Sequence, residues 1–213
     1  MKLLITGGTG LLGSEFVRVA EHRGWGVVAP TRVEMDITDV DGCARVVTTE
    51  SPDWVIHCAA FTKVDQAEVE PDEAMRVNRA GAASVARAAR DAGAGMVHIS
   101  TDYVFDGLKR VPYLPDDPTS PIGAYARSKV AAEEAVRACG SATDQLIVRT
   151  GWLYGAGRRD FIDLVLDKTV AGEPLRIVDD QWGRPTWTRN VARTVLDLVE
   201  RGATGIVNVN DAG

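Results

Sequence analysis

Short apolar runs alternate with longer stretches in which apolar residues recur every three or four positions. Runs at residues 3–6, 27–30, 54–58, 96–101 and 146–150 are rich in Val and Ile and almost continuously apolar, as strands covered on both faces should be. The clearest helical pattern begins near Pro71 and places Ala74, Val77, Gly81, Val85, Ala88 and Ala92 on one stripe. Those residues are small and let a helix lie close to a sheet. The strand–helix alternation predicts an α/β fold, a Rossmann-like doubly wound parallel sheet, over residues 1–150.

After Thr150 the texture changes. Residues 151–157 are glycine-rich, 160–170 read as a helix, 175–178 as a strand, and 182–187 as an aromatic turn. Thr188 is placed to cap a last helix with Val191, Ala192, Val195, Leu196 and Val199 on one face, and 205–210 reads as a final strand. Residues 151–213 are therefore expected to form part of a smaller substrate lobe, interleaved with the last sheet elements. Only Asp211, Ala212 and Gly213 follow that strand, so the lobe reads as incomplete and the native chain is expected to continue.

Composition narrows the function classes. With 45% hydrophobic and 25% charged residues the chain has the balance of a soluble globular protein, not of a disordered one. A net charge of −6 argues against general nucleic-acid binding, which needs a basic footprint. Cys43, Cys58 and Cys139 are far apart and lack ligand spacing, so neither a disulfide framework nor a metal site is expected. The first apolar run is too short for a signal peptide, and no run approaches the roughly 20 apolar residues of a membrane span. The expectation is a cytoplasmic protein without membrane partners.

Two patterns carry chemistry. Gly7, Gly10 and Gly13 lie between the first strand and the first helix, where glycines permit a tight turn and close approach of backbone N–H groups to a pyrophosphate. Tyr125 and Lys129 are four apart and so share a helix face. A free phenol has a pKa of about 10, and a neighbouring ammonium would favour the phenolate. Ser100 and Thr101 end the fourth strand, at the sheet edge where open α/β sheets bind ligands. The end of strand two reads Ala29-Pro30-Thr31-Arg32, with no acid to take a ribose hydroxyl. Arg32 could instead pair with a 2′-phosphate, so NADPH is expected over NADH, with NADH not excluded by the sequence.

With the glycine loop, these patterns resemble the extended short-chain dehydrogenase/reductases that act on nucleotide sugars. Four segments, 59–68, 100–107, 149–155 and 180–186, are similar to those of the dTDP-4-dehydrorhamnose reductases. The resemblance implies NADPH-dependent reduction of the C4 keto group of a nucleotide-linked 4-keto-6-deoxy sugar. It makes Tyr125 the proton donor, Lys129 the holder of the nicotinamide ribose, and Thr101 a hydrogen-bonding partner of the sugar carbonyl. Asp102 and Trp152 fall on sugar-nucleotide positions. Gly7, Gly10, Leu11, Leu12, Gly13, Arg32, Asp36, Ile37, Ala59, Ala60, Phe61, Thr62, Asn78 and Ser100 fall along the cofactor path. For Asn78 a role in bonding strand backbone has equal standing.

Family members run several tens of residues further, and in some that part forms a metal-dependent dimer contact. A homodimer is therefore left open, and no metal is assigned. Trp182 replaces a smaller aromatic usual in the family segment. Two alternatives stand beside the reductase: a nucleotide-sugar dehydratase or epimerase, and an NADP-binding regulatory subunit like the partner of methionine adenosyltransferase. Relatives that dehydrate use an Asp-Glu pair after the threonine, whereas here Tyr103 follows Asp102. His57 and His98 read as core or supporting histidines, Cys58 as a buried small hydrophobe, and the acids from Asp65 to Glu73 as a solvated helix start.

Overall fold

The computed structural model describes residues 1–140, 145–157 and 160–212. The chain opens with β1 (Lys2–Thr6), α1 (Leu11–His22), β2 (Gly26–Val28), α2 (Val40–Glu50) and β3 (Trp54–His57). The short helices α3 (Val64–Val69) and α4 (Pro71–Met75) follow, and α4 runs through a π-helical segment, Arg76–Gly81, into α5 (Ala82–Asp91). Then come β4 (Gly95–Thr101), a 3₁₀ turn at Asp102–Val104, α6 (Ala124–Cys139) and β5 (Gln145–Thr150). The remainder comprises β6 (Leu153–Tyr154), α7 (Phe161–Val170), β7 (Thr186–Trp187), α8 (Thr188–Glu200) and β8 (Gly205–Asn208).

Six strands form one parallel sheet in the order β2-β1-β3-β4-β5-β8. Side chains alternate across it, as strand geometry requires. Leu3 and Ile5 face Phe16 of α1 and Val191 and Val195 of α8. Leu4 faces the opposite way, into a core with Val47 of α2, Val85 of α5 and Val136 of α6. The chain leaves β1 for β2 on one side and returns to β3 on the other. The topological switch point, where open sheets bind ligands, is thus at the carboxyl ends of β1 and β3.

The structure differs from the sequence reading in four places. Residues 175–178 form no strand; Leu175, Ile177 and Val178 are exposed, with no neighbouring strand to satisfy their backbone groups. Thr188 does not cap α8 but is its first residue, its hydroxyl donating to Tyr154 O at 3.2 Å. The helix from Pro71 is not uniformly α, and its π segment buries Asn78 while leaving Val77 half-exposed. The final strand ends at Asn208, paired along the sheet with β5. Gly213 lies outside the described residues.

Past β5 the chain has two characters. The β6–β7 pair is a separate two-stranded sheet whose Leu153 packs against the main core, and α7 buries none of its residues. By contrast α8 and β8 return to it and share its core. No described helix is long and apolar enough to cross a membrane.

Candidate active site

The glycine loop is built by close approach. Gly10 N donates to Gly7 O at 2.8 Å, closing a turn in which Gly7 has a φ of +68°, a region that favours glycine. A Cβ on Gly13 would lie 2.2 Å from Gly7 O, so α1 can seat its first turn on the loop only without a side chain there. Two other strand ends close in on the same loop. The Ala29 side chain lies against Gly8 and the Ala59 backbone against Gly7, while Ala59 N donates to Thr6 Oγ1 at 3.3 Å. This cradle fits a dinucleotide pyrophosphate: a glycine turn that brings backbone N–H groups to a helix start.

The other expected cofactor residues divide. Arg32 is exposed on the segment after β2 and pairs with Asp36 at 3.6 Å. Asp36 also accepts from Thr38 N and Oγ1, bonds that hold its carboxyl below the usual range. Leu11, Ala60 and Thr62 line the same rim, Thr62 exposed and the other two half-buried. The side chains of Leu12 and Ile37 belong to the core, which leaves only their backbone for a ligand. Ser100 is turned to another use, its hydroxyl donating to Glu133 at 2.5 Å. Asn78 accepts from Phe61 N at 2.7 Å and donates to Phe61 O at 3.1 Å, fixing the strand-end segment from below.

Helix α6 brings Tyr125 and Lys129 to the carboxyl end of β4. Its first amide, Ala124 N, donates to Glu68 Oε1 at 2.5 Å, so an acid from α3 caps the helix in place of a local side chain. Glu68 is exposed, as expected of a solvated helix start, and the cap is a further role whose available signal is its position within the family-like segment 59–68. The Thr101 hydroxyl, beside Tyr125, donates to Asp102 Oδ1 at 3.1 Å. Burial pushes the Tyr125 phenol up to about 12, with the nearby Thr101 hydroxyl acting against it and the Asp102 carboxylate adding to it. The direction is opposite to the lowering expected from Lys129, which is not among the groups that shift this phenol. Asp102 is itself raised by burial.

Lys129 is buried and donates to Ile99 O at 2.7 Å, with His98 Nε2 3.4 Å away. Burial pulls its ammonium down to about 8, against the pull of Glu133 and Cys58. His98 stacks on His57 with centroids 5.4 Å apart, and His57 Nδ1 lies 2.7 Å from Thr6 Oγ1. A polar string thus runs inside the sheet from the root of the glycine loop to Lys129. Both histidines are held neutral by burial and by the Lys129 charge, His57 down to about 3.

On the other side of the β4 end, Trp152 follows β5 with a φ of +51°, a strained backbone for a bulky residue. Its indole lies on the backbone of Gly183, where a Cβ would come 2.2 Å from the ring. Trp152 O also accepts from Thr186 N at 3.0 Å, so the 183–186 segment holds this residue in place. Trp182 is 88% exposed, and Trp187 is half-buried under the Arg189 guanidinium. Among the described residues no group of His, Cys, Asp and Glu could hold a metal ion.

Comparison with known proteins agrees over nearly the whole chain. The family model described as the RmlD substrate binding domain matches residues 1–209. A dTDP-4-keto-6-deoxy-D-glucose reductase of Streptomyces niveus is 42% identical over 210 residues, covering 99% of this chain and 73% of that protein. The crystal structure of a Clostridium acetobutylicum dTDP-4-dehydrorhamnose reductase superposes with a TM-score of 0.95 at 36% identity, over 100% of this chain and 75% of that one. A Bacillus anthracis dTDP-4-dehydrorhamnose reductase in complex with NADP gives a TM-score of 0.95 at 34% identity, with the same coverage. With its glycine cradle and the Thr101, Tyr125 and Lys129 constellation, the chain belongs to the dTDP-4-dehydrorhamnose reductase family.

Proposed function

We propose that this protein reduces the C4 keto group of a dTDP-linked 4-keto-6-deoxy sugar with NADPH. The observation that carries the reading is the face of α6 at the β4 end: Tyr125 lies beside Thr101, and Lys129, one turn on, is buried and donates to Ile99 O at 2.7 Å. The cofactor, when bound, supplies the hydride that reaches C4. Gly7, Gly10 and Gly13 would receive its pyrophosphate, and Lys129 its ribose, with Arg32 and Asp36 at the adenosine end.

Tyr125 holds the proton at Oη until negative charge develops on the carbonyl oxygen, then releases it there; the phenolate is reprotonated from solvent. Thr101, whose hydroxyl donates to Asp102 Oδ1, would stand beside the same carbonyl oxygen and help to align it. Proton donation of this kind contributes about 10²–10⁴-fold to rate. Asp102 and Trp152 would face the sugar nucleotide, so residues 151–187 would supply the substrate side and 1–150, with α8 and β8, the cofactor side. The three free cysteines fit a reducing compartment such as the cytoplasm.

The test is NADPH oxidation with dTDP-4-keto-6-deoxy sugars, beside a fluorescence titration of NADPH. Wild type should turn over at least one such sugar, and Tyr125→Phe should be slower by about 10²–10⁴-fold with little change in NADPH affinity. If wild type binds NADPH yet oxidises none with any of these sugars, and Tyr125→Phe is indistinguishable from it, the regulatory-subunit reading takes over. Loss of water from a dTDP-hexose without net cofactor oxidation would instead mark a dehydratase.

A further inference from the structure

We propose that the buried Glu133–Arg149 pair, joined by Ser100, is a positioning clamp that sets helix α6, and with it Tyr125 and Lys129, against the ends of β4 and β5. The catalytic consequence rests on the reductase reading; the clamp itself does not.

Three hydrogen bonds converge on one carboxylate. Arg149 Nε reaches Glu133 Oε1 at 3.0 Å and Arg149 Nη2 reaches Oε2 at 2.8 Å, a two-pronged pairing, while Ser100 Oγ donates to Oε1 at 2.5 Å. The remaining Arg149 prong donates to Pro115 O at 3.0 Å, and the guanidinium carbon lies 5.1 Å from the centre of the Phe105 ring. Both charged side chains are buried, at 4% and 5% exposure. Every polar atom of this fork that the packing removes from water therefore has an assigned partner.

The placement gives the pair its role. Glu133 follows Lys129 by one helical turn and Tyr125 by two, so the three share a face of α6. Ser100 adjoins Thr101, Arg149 stands three residues before Trp152, and Phe105 and Pro115 belong to the chain after the Asp102–Val104 turn. One ion pair thus joins α6, which carries Tyr125 and Lys129, to β4, which ends at Thr101, and to β5, which precedes Trp152. Stability alone does not call for it, since a well-packed apolar pair of similar volume is often as stable as a buried ion pair. An apolar contact, however, fixes neither distance nor angle as a planar fork does. A misplacement of about 1 Å in a reacting group can cost about 10²-fold in rate.

The experiment separates stability from position by replacing the pair together, Glu133→Leu with Arg149→Met. Three quantities are read: the thermal midpoint, NADPH affinity, and kcat with a turned-over dTDP-keto sugar. Hydrogen exchange of residues 100–104 and 124–132 is followed in parallel and needs no substrate. The expected result is a midpoint near wild type, kcat lower by about tenfold or more, NADPH affinity lower by several-fold because Lys129 moves with α6, and faster exchange confined to those two segments. A double variant with wild-type kcat and wild-type exchange overturns the proposal and leaves the pair as core filling. If the double variant does not fold, Arg149→Lys decides: it keeps the charge but not the fork, and wild-type exchange and kcat in it overturn the clamp. Should wild type turn over no sugar, the reductase reading fails while the exchange measurement still decides the clamp.

Discussion

Asn78 grips the peptide groups of Phe61 from both sides, accepting from its N–H at 2.7 Å and donating to its carbonyl at 3.1 Å. The same amide donates to Ser128 Oγ at 2.8 Å, and Ser128 donates to Tyr125 O at 2.7 Å. The segment after β3, where the cofactor is expected, is therefore tied to the first turn of α6 through one buried side chain.

Asn78→Ala should strand both Phe61 groups, at about 1–3 kcal/mol for each one left unsatisfied. The thermal midpoint is expected to fall, and NADPH affinity to fall with it at a temperature where the variant remains folded. Unchanged affinity in folded Asn78→Ala would reduce the clasp to a purely structural one.

Gly183→Ala tests Trp152. The added methyl must displace the indole that lies on the Gly183 backbone, at a residue already strained by its positive φ. KM for the sugar nucleotide should rise several-fold while NADPH affinity stays constant. A rise in the NADPH dissociation constant with KM unmoved would place Trp152 on the cofactor side instead.

Arg32 is expected to choose between cofactors. Its guanidinium is exposed and balanced only loosely by Asp36, so it is free to meet a 2′-phosphate. A charge-assisted bond of about 1.5 kcal/mol corresponds to about a tenfold preference. Arg32→Ala should lose that factor for NADPH and leave NADH unaffected, measured as the ratio of kcat/KM values. An unchanged ratio would remove Arg32 from the site.

The two stacked histidines make the fold acid-sensitive. His57 is held down to about 3 and His98 well below its ordinary value, whereas an unfolded histidine titrates near 6.5. Below pH 6.5 the unfolded chain takes up protons that the folded one refuses. The histidine contribution to stability is therefore full above pH 6.5 and falls as pH drops toward 3, by up to about 1.4 kcal/mol per pH unit for each histidine. Carboxylates held low, such as Asp36 and Asp117, act only below about pH 4. Thermal midpoints between pH 4 and 6.5 should therefore flatten in His57→Asn/His98→Asn; an unaltered slope would assign the sensitivity elsewhere.

What could be read from the sequence follows its locality. The continuous apolar runs at β1, β3, β4 and β5, the glycines of the loop and the four-residue spacing of Tyr125 and Lys129 are each contained in one short segment. Contacts between distant segments were not legible. Glu68 caps a helix 56 residues downstream, and Asn78 meets Ser128 across 50 residues. The charge on Lys129 was visible, but not the burial that raises the Tyr125 phenol. Residues 175–178 have strand-forming side chains, yet a strand also needs a neighbour, and composition says nothing about neighbours.

The π-helical segment at Arg76–Gly81 has a consequence for how this gene can vary in length. Hydrogen bonds from i to i+5 accommodate one residue more than an α-turn holds, so the segment behaves as a one-residue insertion inside an otherwise regular helix. Deleting a single codon there would let α4 and α5 join as one α-helix with both apolar faces still inward, and would cost chiefly the grip of Asn78 on Phe61. Deleting a codon on either side of the segment would instead rotate the following stretch by about 100° and turn Val85 and Ala89 out of the core. Tolerance to a lost residue in this helix is therefore confined to the six positions of the π segment, among them the Asn78 that holds Phe61.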